Sequence, residues 1–253
     1  MSNTTKYFSL QGRVSFATRD GSGNPGVVRW AQNCPKFEIS IETDEETVKE
    51  SHSGLRLEDF NFPTGISIKT AYTLHGFNIE NLAQALWATK YTVNASTASG
   101  EAAPTGLVVG DIVKLDHENV SAVTCVDSTG SPITLTAGTD FEVVSAFAGH
   151  IRILNVAGFA QPFKFSYSYA ATNALALMKG AADEVILMFD GVNTANQEKV
   201  YLELYRHKAK PTSGIALIND GVGTLEFEGA ALYDGNKATD PNLGTLGRMV
   251  FAG

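Results

Sequence analysis

Glu42, Asp44, Glu45, Glu46 and Glu50 crowd into the stretch EISIETDEETVKESHSG, residues 38–54. Carboxylates at this density can ligate a hard cation. A pair of them held across a cleft can hydrolyse a glycosidic bond. Neither chemistry has its signature here. A calcium loop needs oxygens at set spacing around a central glycine, and this run lacks that order. Glycosidase carboxylates face each other across a cleft, which a linear cluster does not specify. The run therefore reads as a charged loop and, in its sharper form, as a loop that meets another copy of the chain.

The other residues able to do chemistry are dispersed. His52, His75, His117, His150 and His207 form no H-x-H or H-E-x-x-H pattern, and each is expected to be an ordinary surface or strand histidine. Gly21, Gly23 and Gly26 spell G-x-G-x-x-G. A dinucleotide fingerprint, however, opens a helix, and Pro25 followed by VVRW points to a hairpin loop instead. Arg206, His207, Lys208 and Lys210 make a short basic run, expected as a solvated strand end or half of an ion pair between subunits. Cys34 and Cys125 are far apart without metal spacing, so both are expected reduced. No G-x-S-x-G elbow is present. No catalytic residue, metal or cofactor is expected.

Composition narrows the classes further. The chain has 253 residues, 43% hydrophobic and 18% charged, with a formal net charge of −8. An acidic surface repels phosphate backbones, which argues against reading nucleic-acid sequence. The start MSNTTKYFSLQG has no apolar h-region, so no secretory signal is expected. The apolar stretches are too short to span a bilayer as a helix, and no membrane partner is expected.

The elements that must position these residues are mostly strands. Phe8, Leu10, Val14 and Phe16 alternate with polar residues at a period of two, as do Phe37, Ile39 and Ile41, and Ile66, Ile68, Tyr72 and Leu74. Val200, Leu202 and Leu204 alternate with Tyr201, Glu203 and Tyr205. One segment changes period: Ile79, Leu82, Ala83 and Leu86 fall at helical spacing behind Asn78, a suitable N-cap. Residues 92–106 are small, polar and unpatterned and read as a linker. Residues 107–170 hold short strands between turns, the pattern of a small β-sandwich. Neither flanking part has enough strands to stand alone. The chain therefore reads as a core formed by 1–103 and 171–253, interrupted by an inserted β domain at 104–170.

Laid out in this order, the chain resembles the major tail tube proteins of tailed bacteriophages. The carriers are KYFSLQGRVSFATRDGSGNPGVVRWAQNCPKFEISIETDEETVKESHSGLRLEDF, the helix FNIENLAQALWAT, and EKVYLELYRHKAKPTSGIALINDGVGTLEFEGAALYD. The block VSAVTCVDSTGSPITLTAGTDFEVVSAFAGHIRIL is similar to the Ig-like domains inserted in some members. The resemblance implies a mainly β fold: a β-sandwich or split barrel with one flanking α-helix, plus a small inserted Ig-like β-sandwich. It implies a structural virion protein, not an enzyme. Its copies would form stacked hexameric rings, assembled in the host cytoplasm into the tail tube, and genome DNA would pass through the lumen without sequence-specific binding. Tape-measure and tail-terminator proteins are the implied partners besides the chain itself.

In that family the long loop between the early strands reaches the adjacent ring. Residues 44–60 hold that position here, which makes Asp44, Glu45, Glu46, Thr47, Val48, Lys49, Glu50, Ser51, His52, Ser53, Gly54, Leu55 and Arg56 the candidate self-assembly loop. Two other readings compete. One is a non-catalytic adhesin or carbohydrate-binding β-sandwich module displaying Tyr167, Tyr169, Tyr201 and Tyr205. The other is an acidic β-rich hydrolase using the carboxylates of 42–50.

Overall fold

The structure is a computed structural model, and it describes residues 7–180 and 183–252. Residues 1–6, where the signal-peptide reading and the start of the first core segment fall, lie outside the described residues. Along the chain, β1 (Leu10–Arg19) and β2 (Pro25–Trp30) form a hairpin. The long strands β3 (Lys36–Lys49) and β4 (Glu58–Leu74) form a second, followed by α1 (Ile79–Ala85). Then come β5 (Thr89–Val93), β6 (Ser96–Ala102), β7 (Ile112–Lys114), β8 (Val120–Val126), β9 (Thr134–Leu135), β10 (Phe141–Ser145), β11 (His150–Ile153), β12 (Lys164–Tyr169) and β13 (Thr172–Ala176). The chain ends with β14 (Val185–Asn193), β15 (Lys199–Ala209), β16 (Leu225–Ala231) and β17 (Gly247–Phe251). The protein is mainly β, with antiparallel sheets and one α-helix among the described residues.

Two compact units divide the chain. The first comprises Met1–Thr89 and Leu175–Gly253; the second is Lys90–Ala174. The second unit is thus longer at both ends than the 104–170 expected from sequence. At the N-terminal end the difference lies in 92–106, which is no linker: β6 occupies Ser96–Ala102 of it and pairs with β12. Its small residues hid the strand because β6 is an edge strand, largely exposed, and an edge needs no apolar alternation to be held by its ladder.

The first unit carries one sheet in the order β2-β1-β14-β15-β16-β4-β3, with β17 also on β15. Its core is built by Val14, Phe16, Tyr72, Leu74, Leu187, Leu202, Leu204, Leu225 and Phe227. β15 is the central strand, and both of its faces are covered: Tyr201 on the reverse side packs with Ala17, Ile186 and Met188. A bulge lies between the pairs Leu187↔Leu204 and Val185↔His207. It inserts one residue into β15, so the core face passes from Val200, Leu202 and Leu204 to His207 and Ala209.

Asn78 caps α1 as expected, its side chain accepting from the Asn81 backbone N–H at 2.8 Å. The buried residues of the helix are Asn81 and Ala85, with Leu82 and Leu86 packed on the core. The face is therefore rotated from the Ile79–Ala83 side expected. The cause is a polar one. Asn81 Nδ2 donates to the carbonyls of Ala31 (3.2 Å) and Gly76 (3.0 Å), and its Oδ1 accepts from Arg29 Nη1 (2.6 Å). A buried amide with three satisfied partners outweighs the helix's apolar stripe.

The second unit has a four-stranded sheet, β6-β12-β8-β9, and a three-stranded one, β10-β11-β7. Val113, Ile151 and Ile153 of one meet Cys125, Phe165 and Tyr167 of the other in one core.

Candidate assembly interface

The acidic stretch that opened the sequence reading is not a loop. Asp44 to Lys49 belong to β3, and only the turn between Lys49 and Glu58 is irregular. β16 covers β4 from Leu74 only as far as Ile68. Beyond that row the β3–β4 hairpin is a two-stranded ribbon running eight residues past the core, roughly 26 Å at the rise of an antiparallel strand. All of β3 from Glu38 onward is exposed. The turn residues are too short a span to make this arm, and TDEETVK, with Val48 its single apolar residue, carries no alternation that would have revealed the strand.

Register decides which way each candidate residue faces. On the face continuous with the core stand Phe37, Ile39, Ile41 and Thr43, paired with Tyr72, Thr70, Ile68 and Ile66. The core fades along this row: Tyr72 is buried, whereas Ile41 and Ile66 are 70% and 66% exposed. A bulge at Asp44/Glu45 shifts the register. Past it, Val48 opposite Phe60 and Glu46 opposite Phe62 lie on the reverse face, where the Phe60 and Phe62 rings stack at 5.8 Å. Apolar side chains thus occupy one face at the root of the arm and the other near its tip, and little of the fold covers either.

The carboxylates do not converge. Glu38, Glu42, Asp44 and Glu46 alternate along the reverse face of β3, and Glu226 and Glu228 of β16 continue that face beyond β4. Lys36 lies 2.9 Å from Glu38, Lys69 3.9 Å from Glu42 and Lys210 3.3 Å from Glu228. Glu45 points to the other side and accepts from Asn61 Nδ2 at 2.8 Å. Among the described residues no group of three or more His, Cys, Asp or Glu is placed to hold a metal ion. The face is a sheet surface, with no cleft between paired carboxylates.

Glu50 has a different task. Its carboxylate accepts from the backbone N–H groups of His52 and Ser53 (both 2.8 Å) and Leu57 (3.2 Å), and from the Ser53 hydroxyl. The Ser53 hydroxyl and the backbone donors hold its pKa down at about 2. Gly54 takes φ +79° and Arg56 φ +52° to complete the turn. The result is a tip fixed from within, with Leu55 and Leu57 pointing into solvent.

Among the described residues the strand order ends in two open edges, β2 and β3, and β17, paired only with β15, leaves a third. β2 presents Val27, Val28 and Trp30 exposed. The β2 and β3 edges differ in sequence and lie at opposite ends of the strand order. Residues 7–250 match the sequence model of a family described as Protein of unknown function UCP028589. The chain belongs to that family. No curated protein matches it.

The remaining expectations divide. The G-x-G-x-x-G stretch is the β1–β2 turn, with Gly23 at φ +81°, and opens no helix. The basic run is a solvated strand end only at Lys210, which follows β15 and forms an exposed pair with Glu228; Arg206 pairs with Glu184 of the same chain (2.9 Å), and His207 is wholly buried. The tyrosines proposed as a glycan platform form none. Tyr167 and Tyr205 are buried, Tyr169 stacks on His117 with ring centroids 3.8 Å apart, and Tyr201 packs on the Ile186–Met188 cluster. Tyr167 donates to Glu101, whose other oxygen takes the Asp116 N–H at 2.9 Å, so this group ties strands together inside its unit.

Proposed function

We propose that the chain is a non-catalytic structural subunit that assembles with copies of itself into stacked rings, the tail tube of a tailed phage. The observation that carries the reading is the β3–β4 arm: a long open-edged ribbon with apolar residues on both faces and little of its own chain to cover them. A two-stranded ribbon is marginal alone in water. A long, flat apolar edge is an aggregation hazard unless pairing is its purpose. Because β2 and β3 are different edges, joining β2 of one copy to β3 of the next is a heterologous contact, which closes into a ring or runs open. Six copies per ring follow from the family resemblance.

In this reading the arm crosses to the neighbouring ring. Burying Ile41, Ile66, Val48 and Phe60 contributes about 1.5–3 kcal/mol each. Their sum is of the order of the roughly 4–15 kcal/mol that association costs, so the edge ladders and arm contacts are needed together. The carboxylates Glu38, Glu42, Glu226 and Glu228, on the part of the reverse face that stays with the sheet, are the surface we assign to the lumen, where they would repel the backbone of passing DNA. The second unit, Lys90–Ala174, is the Ig-like insertion of this reading. Tape-measure and tail-terminator proteins would meet the ends of such a tube in the virion.

Negative-stain electron microscopy with the mass from light scattering tests the proposal. Rings or hollow tubes are expected. A chain that stays monomeric at high concentration, with and without a preformed tube end as seed, overturns it.

A further inference from the structure

β15 changes partner along one edge. Val200 to Leu204 pair with β17, and only His207, Lys208 and Ala209 pair with β16. The neighbouring seams are longer: β16 pairs with β4 from Leu225 to Ala231, and β14 with β15 from Val185 to Val192. The β15–β16 seam is therefore the narrow waist of the first unit's sheet. β2, β1, β14, β15 and β17 lie on one side of it; β16, β4 and β3 lie on the other. Two flanking bonds extend the seam, from the Leu232 N–H to the Arg206 carbonyl (2.6 Å) and from the Lys210 N–H to the Glu228 carbonyl (2.7 Å).

His207 spans this waist. It is wholly buried, and its imidazole lies across Gly229 of β16 to reach Thr70 of β4, with Nε2 2.7 Å from Oγ1. Gly229 lets it pass, since a Cβ there would lie 2.8 Å from the ring Cε1. One side chain thus ties β15 to β4 over the strand between them. The tie suits only a neutral ring. Nδ1 is buried with no hydrogen-bond partner. A neutral imidazole can leave that nitrogen as a bare acceptor, but an imidazolium carries an N–H on both nitrogens. Its Nδ1–H would then be a charged donor without an acceptor, which a core penalises heavily.

The groups around the ring supply no compensation. β4 offers Thr70 and the Tyr72 ring at 6.1 Å, whose phenol burial pushes further from ionising. β16 offers Gly229 and Ala231, and β14 offers Val185. On β15 itself, Arg206 is engaged with Glu184, and Lys208, the next residue, points to the reverse face. Burial alone depresses the basicity of the ring, with no charge contributing.

We propose that His207 is a proton-gated latch: neutral, it holds the β15–β16 waist shut, and protonated, it opens that seam locally while the β1–β14–β15 ladders stay paired. The latch acts within one chain and is independent of the assembly reading. An open seam gives the imidazole to water, where it takes a proton at about pH 6.5. Opening is therefore promoted as pH falls below that value.

Amide exchange on the full chain tests the latch, with rates corrected for the intrinsic effect of pH. Leu232 and Lys210 report the seam. Ala31, whose N–H donates to the Val14 carbonyl at 2.9 Å, reports the far side. From pH 7 to pH 5, protection at Leu232 and Lys210 is expected to fall about tenfold or more, as an exposed histidine titrates. Ala31 is expected to change less than about twofold, because it opens separately. His207→Gln, which keeps a polar group for Thr70 but takes no proton, is expected to abolish the fall. If that variant does not fold, the contrast between the seam and Ala31 in the parent chain still decides. Unchanged protection at Leu232 and Lys210 overturns the latch. An equal fall at Ala31 also overturns it, since acid would then act only by unfolding the whole unit, and so does a fall that persists in His207→Gln.

Discussion

Val48 stands directly opposite Phe60 across the β3–β4 ladder, and both side chains are in solvent. A directly opposed β-branched and aromatic pair stabilises a ladder by at most about 1 kcal/mol, so the pair is not what holds the unit together. Val48→Lys is expected to change unfolding free energy by less than about 0.5 kcal/mol, as exposed substitutions do. The same change puts a charge into the proposed inter-ring contact. Denaturant titration should show no difference from the parent chain, while light scattering shows the assembled fraction lost.

The two glycines of the β1–β14 ladder make the opposite prediction. Gly12 pairs with Gly191, and the Phe189 ring lies across both. A Cβ on Gly191 would stand 2.5 Å from that ring and 2.7 Å from the Gln11 carbonyl. The ring borders an open cavity and can shift, but the Gln11 carbonyl is backbone held in the ladder and cannot. Gly191→Ala is expected to destabilise the first unit by about 1–3 kcal/mol, the range for overpacking, measured as a shift in denaturant midpoint at constant slope.

His207 makes the first unit sensitive to acid. Its Nε2 lies 2.7 Å from Thr70 Oγ1, its Nδ1 has no partner, and the Gly229 backbone presses on the ring. Burial lowers its pKa from 6.5 to about 4. Between those values the unfolded chain binds a proton that the folded chain does not, so stability falls as pH drops from 6.5 and levels off below about 4. The full effect is about 3 kcal/mol at 1.36 kcal/mol per pH unit. His207→Leu should lower stability at pH 7 and flatten the slope across that window, which denaturation at several pH values will read.

Glu50 titrates the other way. Its pKa is held at about 2, below the ordinary 4.5, so the turn it organises is complete above the ordinary value and is lost as pH falls toward 2. Amide exchange at Ser53 and Leu57 should remain slow at pH 4 relative to Glu50→Ala at the same pH. Equal exchange in the two proteins would mean that the carboxylate does not hold the turn.

The sequence made the strands legible wherever one face was buried. Val14 and Phe16, Tyr72 and Leu74, and Val200, Leu202 and Leu204 all lie where a period of two puts them. The Asn78 cap was also legible, because capping is a contact between near neighbours. What escaped were the positions set by partners distant in the chain. β6 read as a linker because its order comes from β12, some 70 residues away. His207 read as exposed because one inserted residue in β15 moves it to the core face, and only the pairing with β14 reveals that insertion. The rotation of α1 follows from Arg29 and Ala31 meeting Asn81.

The acidic run shows the same division. Its composition alone determined that it would be charged and solvated, and that it had no metal-loop spacing. Only the tertiary structure decided that Glu38, Glu42, Asp44 and Glu46 share one face, that Glu50 is spent on the turn, and that the ribbon outruns the sheet behind it. Local alternation fixes which side chains share a face of a strand. How far that strand extends beyond its neighbours is a property of the other strands, and it is written in their lengths and register.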